Sequence, residues 1–184
     1  NTVVGDEAGT AITTGDSNVA LGIGALTNET AGNKSVAIGP SALASQNFTS
    51  STDAYNTAVG TSAGAAVTTG TNNTLIGGRA GDALTDADFN VAVGNSALSA
   101  DTLGSSSIAI GHAALEAQNF TTATNTYNVA IGHVAGQSVT TGVQNTLIGA
   151  LAGDAISTGY DNVAVGYLAL SAATSGYDNV AVGG

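Results

Sequence analysis

One short motif recurs along the whole chain at a nearly constant spacing. A glycine closes an apolar segment eleven times, and we call these residues the anchor glycines. They are Gly5, Gly22, Gly39, Gly60, Gly77, Gly94, Gly111, Gly132, Gly149, Gly166 and Gly183. Successive anchor glycines are 17 residues apart, except for two steps of 21 residues. A fixed period of this length indicates a solenoid, in which each repeat is one coil stacked on the next.

The two long steps run from Gly39 to Gly60 and from Gly111 to Gly132, and they lie 72 residues apart. Residues 35–104 and 107–176 are therefore two copies of a unit of four coils. We expect residues 1–184 to form a single array of about eleven coils. Both ends carry pieces of the same motif, so we also expect the array to continue or to stack end to end.

Each position of the motif holds a narrow set of residues. The residue four before the anchor glycine is Asn, except at Ser35 and Ser107, and the residues one and three before it are Val, Ile, Leu or Thr. The residue two before it is Ala in eight coils, and the residue three after it is Ala in all ten coils that extend that far. An apolar, β-branched segment this short predicts a strand. The fold class is therefore all-β, a parallel β-solenoid with almost no helix.

The predicted strand is apolar on both faces, because successive side chains point in opposite directions. One face fills the coil and the other needs a covering layer, which a partner chain provides. We expect the column just before the anchor glycines (Val4, Leu21, Ile38) to be buried and the column just after them to be exposed, as at Asp6 and Ile23. The Ala columns are expected to let chains approach closely, and the Asn residues to form a hydrogen-bonded ladder.

Charge excludes several classes of partner. Thirteen acidic residues stand against only Lys34 and Arg79, which gives a net charge of −11. Nucleic acids and anionic membrane surfaces both require a basic footprint, so neither is expected. No apolar run approaches the ~18 residues of a membrane span, so no direct membrane insertion is expected. The chain has no cysteine and therefore no disulfide or thiolate metal site.

The motif resembles the head repeats of trimeric autotransporter adhesins, in which Ser-Val-Ala-Ile-Gly recurs as it stands at residues 35–39. Residues 56–60 and 68–70 also resemble the longer repeats of bacterial surface proteins and phage tail fibres. The resemblance covers essentially the whole chain. It implies a parallel β-roll, left-handed in the adhesin heads, assembled as an intertwined or side-by-side homotrimer. The coils here are longer than those of the adhesin heads, which suggests a wider cross-section.

Two histidines are the candidates for a metal site. His112 and His133 each follow an anchor glycine in consecutive coils, so in-register stacking places them about 5 Å apart. The other residues of this column are unlike one another, as is typical of an exposed corner. This variety favours two exposed surface histidines over a metal site. Asp82, Asp86 and Asp88 are close in sequence and are either a calcium site or solvated acids. No catalytic or cofactor-binding motif is present, and no cofactor is expected.

The two long coils are the candidate binding surface, because loops on a rigid scaffold often carry function. They run through residues 44–55 and 117–127 and share the string Gln-Asn-Phe-Thr. The candidate residues are Asn47, Phe48, Tyr55, Asn119, Phe120 and Tyr127. The alternative is that each Phe folds over the end of its coil and each Tyr packs on the next strand.

These features favour a non-enzymatic fibre segment, structural or adhesive, of a bacterial surface adhesin or a phage tail fibre. Its expected partners are copies of itself and a host-surface glycan or protein, and its expected location is extracellular, on a cell surface or on a virion. The alternative is an ice-binding or other single-chain ligand-binding β-solenoid. Thr or Ser recurs eight residues after the anchor glycine, as ice binding would use, although Asn47 and Asn119 interrupt that column. A polysaccharide lyase would need more basic residues than the two present.

Overall fold

The computed structural model describes all residues, 1–184, and its only regular secondary structure is short β-strands. No helix is present, and hence none that is long and apolar enough to cross a membrane. The strands are β1 Thr2–Val4, β2 Val19–Leu21, β3 Gly32–Asn33, β4 Val36–Ile38, β5 Thr52–Asp53, β6 Thr57–Val59, β7 Thr74–Ile76, β8 Val91–Val93, β9 Gly104–Ser105, β10 Ile108–Ile110, β11 Thr124–Asn125, β12 Val129–Ile131, β13 Thr146–Ile148, β14 Val163–Val165 and β15 Val180–Val182.

Eleven of these strands, one before each anchor glycine, form a single parallel sheet in chain order. Equivalent residues of successive coils are paired, so that Val36 lies opposite both Val19 and Thr57. The other four strands form two small parallel pairs, β3 with β5 and β9 with β11. The predicted parallel β-solenoid of about eleven coils is therefore confirmed. At the usual strand spacing of about 4.8 Å, the rod is about 50 Å long.

Alanine lines the inside of the coil. The Ala residues two before and three after the anchor glycines belong to one continuous core, and nearly all of them are fully buried. Leucines complete the core at the position four after the anchor glycine, as in Leu26, Leu43, Leu98 and Leu115. The interior is so narrow that Ala from one wall meets Leu from the opposite wall.

The core keeps its volume where this pattern changes. Leu75 replaces Ala two residues before its anchor glycine, and the coils on either side of it have glycine in place of the usual leucine. A Cβ added at Gly64 would lie 2.6 Å from Leu75 Cδ1, and one at Gly81 would lie 2.8 Å from Leu75 Cδ2. Leu147 has the same relation to Gly136 and Gly153. The larger residue on one wall thus fills the space that the glycines leave on the other.

The outward face of the sheet differs from the prediction. The column just before the anchor glycines is half-buried or exposed, with Ile76 39% and Ile148 37% accessible. Because Ala occupies the inside, the Val, Ile, Leu and Thr residues on either side of it must point outward. The expectation that Val4, Leu21 and Ile38 are buried was therefore wrong for the single chain, in which this column lies on the outward face. The expectation that the Ala columns form a contact between chains was also wrong, since those residues are inside.

The predicted Asn ladder is present and lies inside the corner that precedes each strand. Asn73 illustrates it: its Oδ1 accepts a hydrogen bond from the backbone N–H of Asn90 at 3.0 Å, and its Nδ2 donates to the carbonyl of Ala87 at 2.7 Å. Most of the other Asn residues in this column are buried and make the same bonds. Each side chain thus links its own coil to the next and satisfies buried backbone groups.

The anchor glycines are required by the close stacking of coils. Gly39 has φ of +129°, and a Cβ placed on it would lie 2.6 Å from the carbonyl oxygen of Gly60 in the next coil. An L side chain is disfavoured both by this backbone conformation and by the collision. Column residues such as Asp6, Ile23 and Pro40, just beyond the glycine, are exposed as expected.

We predict that Gly39→Ala lowers the free energy of unfolding by roughly 2–4 kcal/mol, because the methyl group meets backbone that cannot move without disturbing the stack. Gly78→Ala is the matched control. Its Cβ would meet only the Asn95 side-chain nitrogen, at 3.1 Å. The control should change stability by less than about 0.5 kcal/mol. Urea unfolding followed by far-UV circular dichroism measures both, and equal effects would show that the anchor position is not special.

Candidate functional site

The candidate residues of the long coils fall into three different environments. Phe48 and Phe120 are buried, so each Phe folds over its coil and is not available to a ligand. Asn47 and Asn119 are exposed, and each occupies the Thr column, where its Oδ1 accepts a hydrogen bond from the Thr of the preceding coil. Tyr55 and Tyr127 are 51% and 56% accessible and do not pack on the next strand. Of the six candidates, the two tyrosines are thus the most available for contact.

The additional residues of each long coil form an exposed bulge. Residues 49–51 and 121–123 are exposed. Each bulge is followed at once by a short strand, β5 or β11, which pairs with β3 or β9 of the preceding coil. After each bulge the register of the main sheet is restored, with Ala58 opposite Ala37 and Ala130 opposite Ala109. The insertion is therefore accommodated on one side of the rod without displacing the next coil.

A buried polar network lies beneath the first bulge, and the sequence analysis missed it. Glu29 is fully buried, and its Oε1 accepts hydrogen bonds from the backbone N–H groups of Gly32 at 2.6 Å and Phe48 at 3.1 Å. Its Oε2 accepts from Gln46 Nε2 at 2.8 Å. Gln46 Oε1 in turn accepts from Asn56 Nδ2 at 2.8 Å, across the bulge. The network thus joins the chain before the insertion to the chain after it.

The second long coil repeats this network with a shorter acid. Asp101 Oδ1 accepts hydrogen bonds from the N–H groups of Gly104 and Phe120, both at 3.0 Å, and Oδ2 accepts from Gln118 Nε2 at 2.6 Å. Gln118 Oε1 accepts from Asn128 Nδ2 at 2.8 Å. Both carboxylates are fully buried and hydrogen-bonded at both oxygens, as a buried charge requires.

Two features of the sequence could have revealed these networks. The position seven after the anchor glycine is apolar in six coils (Ile12, Val67, Leu84, Val139, Ile156, Ala173) and polar only at Glu29, Gln46, Asp101 and Gln118. The Asn column changes to Ser at Ser35 and Ser107, one coil before each bulge. Each Ser Oγ accepts a hydrogen bond from the glutamine at 2.9 Å. The glutamine amide thus takes the space that an asparagine side chain would otherwise fill.

We predict that Glu29→Ala lowers the free energy of unfolding by about 3 kcal/mol or more. The backbone N–H groups of Gly32 and Phe48 would lose their acceptor inside the protein, and Ala31 N–H and Gln46 Nε2 would each lose one of two. Glu7→Ala is the control, since Glu7 is exposed, and it should change stability by less than about 0.5 kcal/mol. Thermal unfolding of the two variants measures the difference. Similar midpoints would mean that the buried carboxylate is dispensable.

An ion pair borders the first long coil on the outside. Lys34 Nζ lies 2.6 Å from Asp53 Oδ2, 3.1 Å from Tyr55 Oη and 5.0 Å from the centre of the Tyr55 ring. The hydrogen bond from Lys34 lowers the pKa of Asp53 below its ordinary value of 3.8, and the hydrogen bonds to Asp53 and Tyr55 raise the pKa of Lys34 above 10.5. Both side chains are accessible, so this pair fixes the Tyr55 ring more than it stabilises the fold.

We predict that Lys34→Gln raises the pKa of Asp53 back toward 3.8, since the charged donor is lost. In the parent chain, the pair stabilises the fold above pH 3.8, and that contribution is lost as the pH falls through the lowered pKa. At the alkaline end, the stabilisation by the ion pair is fully present below pH 10.5 and is lost as the pH rises through the raised pKa of Lys34. NMR titration of the Asp53 carboxyl carbon measures the shift. Arg79→Gln is the control and should leave Asp53 unchanged; an equal shift in both variants would contradict the assignment.

The two histidines lie where the sequence places them. The His112 and His133 rings are stacked at 5.3 Å with an interplanar angle of 14°, and both residues are exposed. No third histidine, cysteine or acid joins them in a potential metal-binding group. The aspartates are also dispersed: Asp82 pairs with Arg79 at 2.9 Å, and Asp86 and Asp88 accept hydrogen bonds from Thr69 and Thr71 of the preceding coil. They do not form a calcium-binding cluster.

The hydroxyl groups of the Thr column point along the stack. Thr13 Oγ1 donates to the carbonyl of Thr30 at 3.1 Å, Thr85 Oγ1 donates to that of Thr102 at 3.0 Å, and Thr102 Oγ1 donates to that of Phe120 at 2.8 Å. The O–H groups of these three residues therefore donate to the protein and not to water. An ordered array of hydroxyl donors facing water, which the ice-binding alternative would use, has no support from this column.

No protein-family model, no curated protein and no solved structure matches the chain. The resemblance to adhesin heads and tail-fibre repeats therefore depends on the sequence motifs alone. The geometry itself gives a rigid rod with a narrow core, one apolar outer face and two bulged coils.

Proposed function

We propose that the chain is a non-enzymatic segment of a homotrimeric fibre, structural or adhesive, on a bacterial surface or a virion. The observation that carries this proposal is the outward face of the main sheet, which we call the outer sheet face. It consists of the residues one and three before the anchor glycines. The first column is Val4, Leu21, Ile38, Val59, Ile76, Val93, Ile110, Ile131, Ile148, Val165 and Val182; the second is Thr2, Val19, Val36, Thr57, Thr74, Val91, Ile108, Val129, Thr146, Val163 and Val180.

The outer sheet face is large for a surface that remains in water. It is about 50 Å long and about 10 Å wide, on the order of 500 Å². That area lies in the upper half of the range of about 300–600 Å² for the largest apolar patch of a monomer, and such patches are often functional. It contains no charged side chain. Covering it with protein would remove a continuous apolar strip from water along the whole rod.

A second copy of the chain is the occupant that this face fits best. The side chains of the outer sheet face repeat at the coil spacing of about 4.8 Å, and an identical rod has the same spacing along its full length. Closed rotational symmetry about an axis parallel to the stack would cover the face of every chain equally. A partner without this repeat would match the face at only a few coils.

The number three and the location come from the resemblance to adhesin heads and tail fibres, not from the geometry of one chain. A rod of stacked coils suits a stiff spacer or an adhesive tip, because backbone hydrogen bonds run along its length. The proposal assigns no reaction to the chain and no cofactor. The adhesive surface would lie on the sides of the rod that the other copies leave uncovered.

Light scattering coupled to size-exclusion chromatography tests the assembly. We expect the mass of three chains, each of 17.6 kDa, at micromolar concentration. The double variant Ile76→Asp, Ile148→Asp should dissociate to the single-chain mass, because each trimer would otherwise bury six unpaired carboxylates. Far-UV circular dichroism should remain that of a β-rich fold, since both side chains are already accessible in the single chain.

Asn28→Asp is the matched control for this experiment, because it also adds a negative charge but lies on an exposed side away from the outer sheet face. It should leave the trimer mass unchanged. A parent chain that is a stable monomer would refute the trimer. A trimer that survives the double substitution would place the contact on another face.

A further inference from the structure

Five of the eight aromatic residues lie on a single edge of the rod. Tyr55, Phe89 and Tyr127 each stand five residues before an anchor glycine, and Tyr160 and Tyr177 stand six before one, in the last two coils. We call these five residues the aromatic edge. All are exposed, with accessibilities between 41% and 61%, and the Tyr160 and Tyr177 rings are stacked at 5.1 Å. Along each coil, the aromatic edge comes just before the Asn ladder, and the Asn ladder comes just before the outer sheet face.

The fold does not require aromatic residues at this edge. In the ten coils that have this position, the residue five before the anchor glycine has positive φ, including 51° at Tyr55, 60° at Phe89 and 52° at Tyr127. Other coils fill it with Ser17, Asn72, Ser106 and similar polar residues and keep the same backbone. A bulky residue in the left-handed region is unusual, because its Cβ crowds the backbone there. Backbone preference and exposure to water therefore both disfavour Tyr and Phe here, which points to a function.

The spacing of the first three rings indicates the form of the ligand. Tyr55, Phe89 and Tyr127 occupy alternate coils, so their Cα atoms are about 10 Å apart along the rod. The intervening residues, Asn72 and Ser106, carry amide and hydroxyl groups. A second copy of the chain would present a contact at every coil, whereas this edge is aromatic only at every second one. A linear ligand with a repeat of two coils fits the alternation.

We propose that the aromatic edge binds a linear, neutral polysaccharide whose pyranose rings stack on Tyr55, Phe89 and Tyr127. An extended β-linked glycan presents the same face at every second sugar, a repeat close to the spacing of two coils. The apolar C–H face of a pyranose packs on an aromatic ring, and the sugar hydroxyls can bond with Asn72, Ser106 and the nearby carboxylates of Asp53 and Asp88. The net charge of −11 disfavours a polyanionic glycan. This inference depends on the proposed adhesive role but not on the number of chains.

Lys34 prepares the first of these rings for binding. It lies over the Tyr55 ring at 5.0 Å, while the Tyr55 hydroxyl lies 3.3 Å from Asp53 Oδ2. These contacts hold the ring in one orientation before a ligand arrives, which reduces the entropy lost on binding. Phe89 and Tyr127 have no such contacts, so their exposure has no explanation in a local ion pair.

Affinity electrophoresis in native gels that contain a polysaccharide tests the proposal. The probes are soluble β-glucan, xylan and galactomannan, with heparin as the anionic comparison. We expect at least one neutral probe to retard the parent chain and heparin to have no effect. The triple variant Tyr55→Ser, Phe89→Ser, Tyr127→Ser should bind that probe at least about tenfold more weakly, since three stacking contacts are lost. Serine at this position is already present in the coils of Ser17 and Ser106.

Tyr167→Ser is the matched control, because Tyr167 is 60% accessible but lies just after an anchor glycine, outside the aromatic edge. It should bind as tightly as the parent. The proposal is overturned if no neutral probe retards the parent, if only heparin does, or if the triple variant binds like the parent. It is also overturned if the triple substitution changes the mass in solution, since the edge would then belong to the contact between chains. A monomeric parent that still binds the glycan would refute the trimer alone.

Discussion

The in-register stacking of coils at the spacing of β-strands is the constraint on which the rest of the structure depends. Backbone N–H groups of one coil donate to carbonyl groups of its neighbour, both in the strands and around the corners. At the anchor position the two backbones are so close that a Cβ on Gly39 would collide with Gly60. Because every coil meets the same neighbour at the same distance, the same residue is required each time. The repetition in the sequence is thus a direct consequence of the stacking.

The narrow interior explains why the surface is so apolar. The coil accepts Ala from the sheet wall and Leu from the opposite wall, and it accepts Leu75 from the sheet wall only because Gly64 and Gly81 leave space. Larger β-branched residues of the strand are therefore confined to its outward side. They favour the strand conformation, but within one chain they gain only partial burial. The same property that keeps the rod thin thus creates a face that association between chains would stabilise.

Much of this architecture follows from the sequence, and the errors have a common physical origin. The period, the parallel strands, the Asn ladder and the stacked histidines all depend on register, which the repeats specify. The side of the strand that faces inward depends on the width of the coil, and spacing along the chain does not reveal width. Ile76 and Ala92 both looked like core residues for that reason, and only the alanine is one. The Glu29 network was missed because an acid beside apolar positions appears solvated until its partners, 17 to 19 residues away, are seen.

The long coils show how a repetitive fold can carry a local difference. An insertion normally threatens the register of every following strand, yet Ala58 stays opposite Ala37. Gln46 makes this possible by bonding Asn56 beyond the bulge while it holds Glu29 and Ser35 in the coil before. The cost is a buried carboxylate, which the core tolerates because both of its oxygens accept hydrogen bonds.

Each network also fixes the position of the residue that follows an exposed tyrosine. Gln46 bonds Asn56, directly after Tyr55, and Gln118 bonds Asn128, directly after Tyr127. The polar core beneath each bulge thus helps to position an exposed ring. Stability and surface specificity are therefore coupled where the insertions occur, whereas the coils away from them have an apolar residue at the position of Glu29 and Asp101.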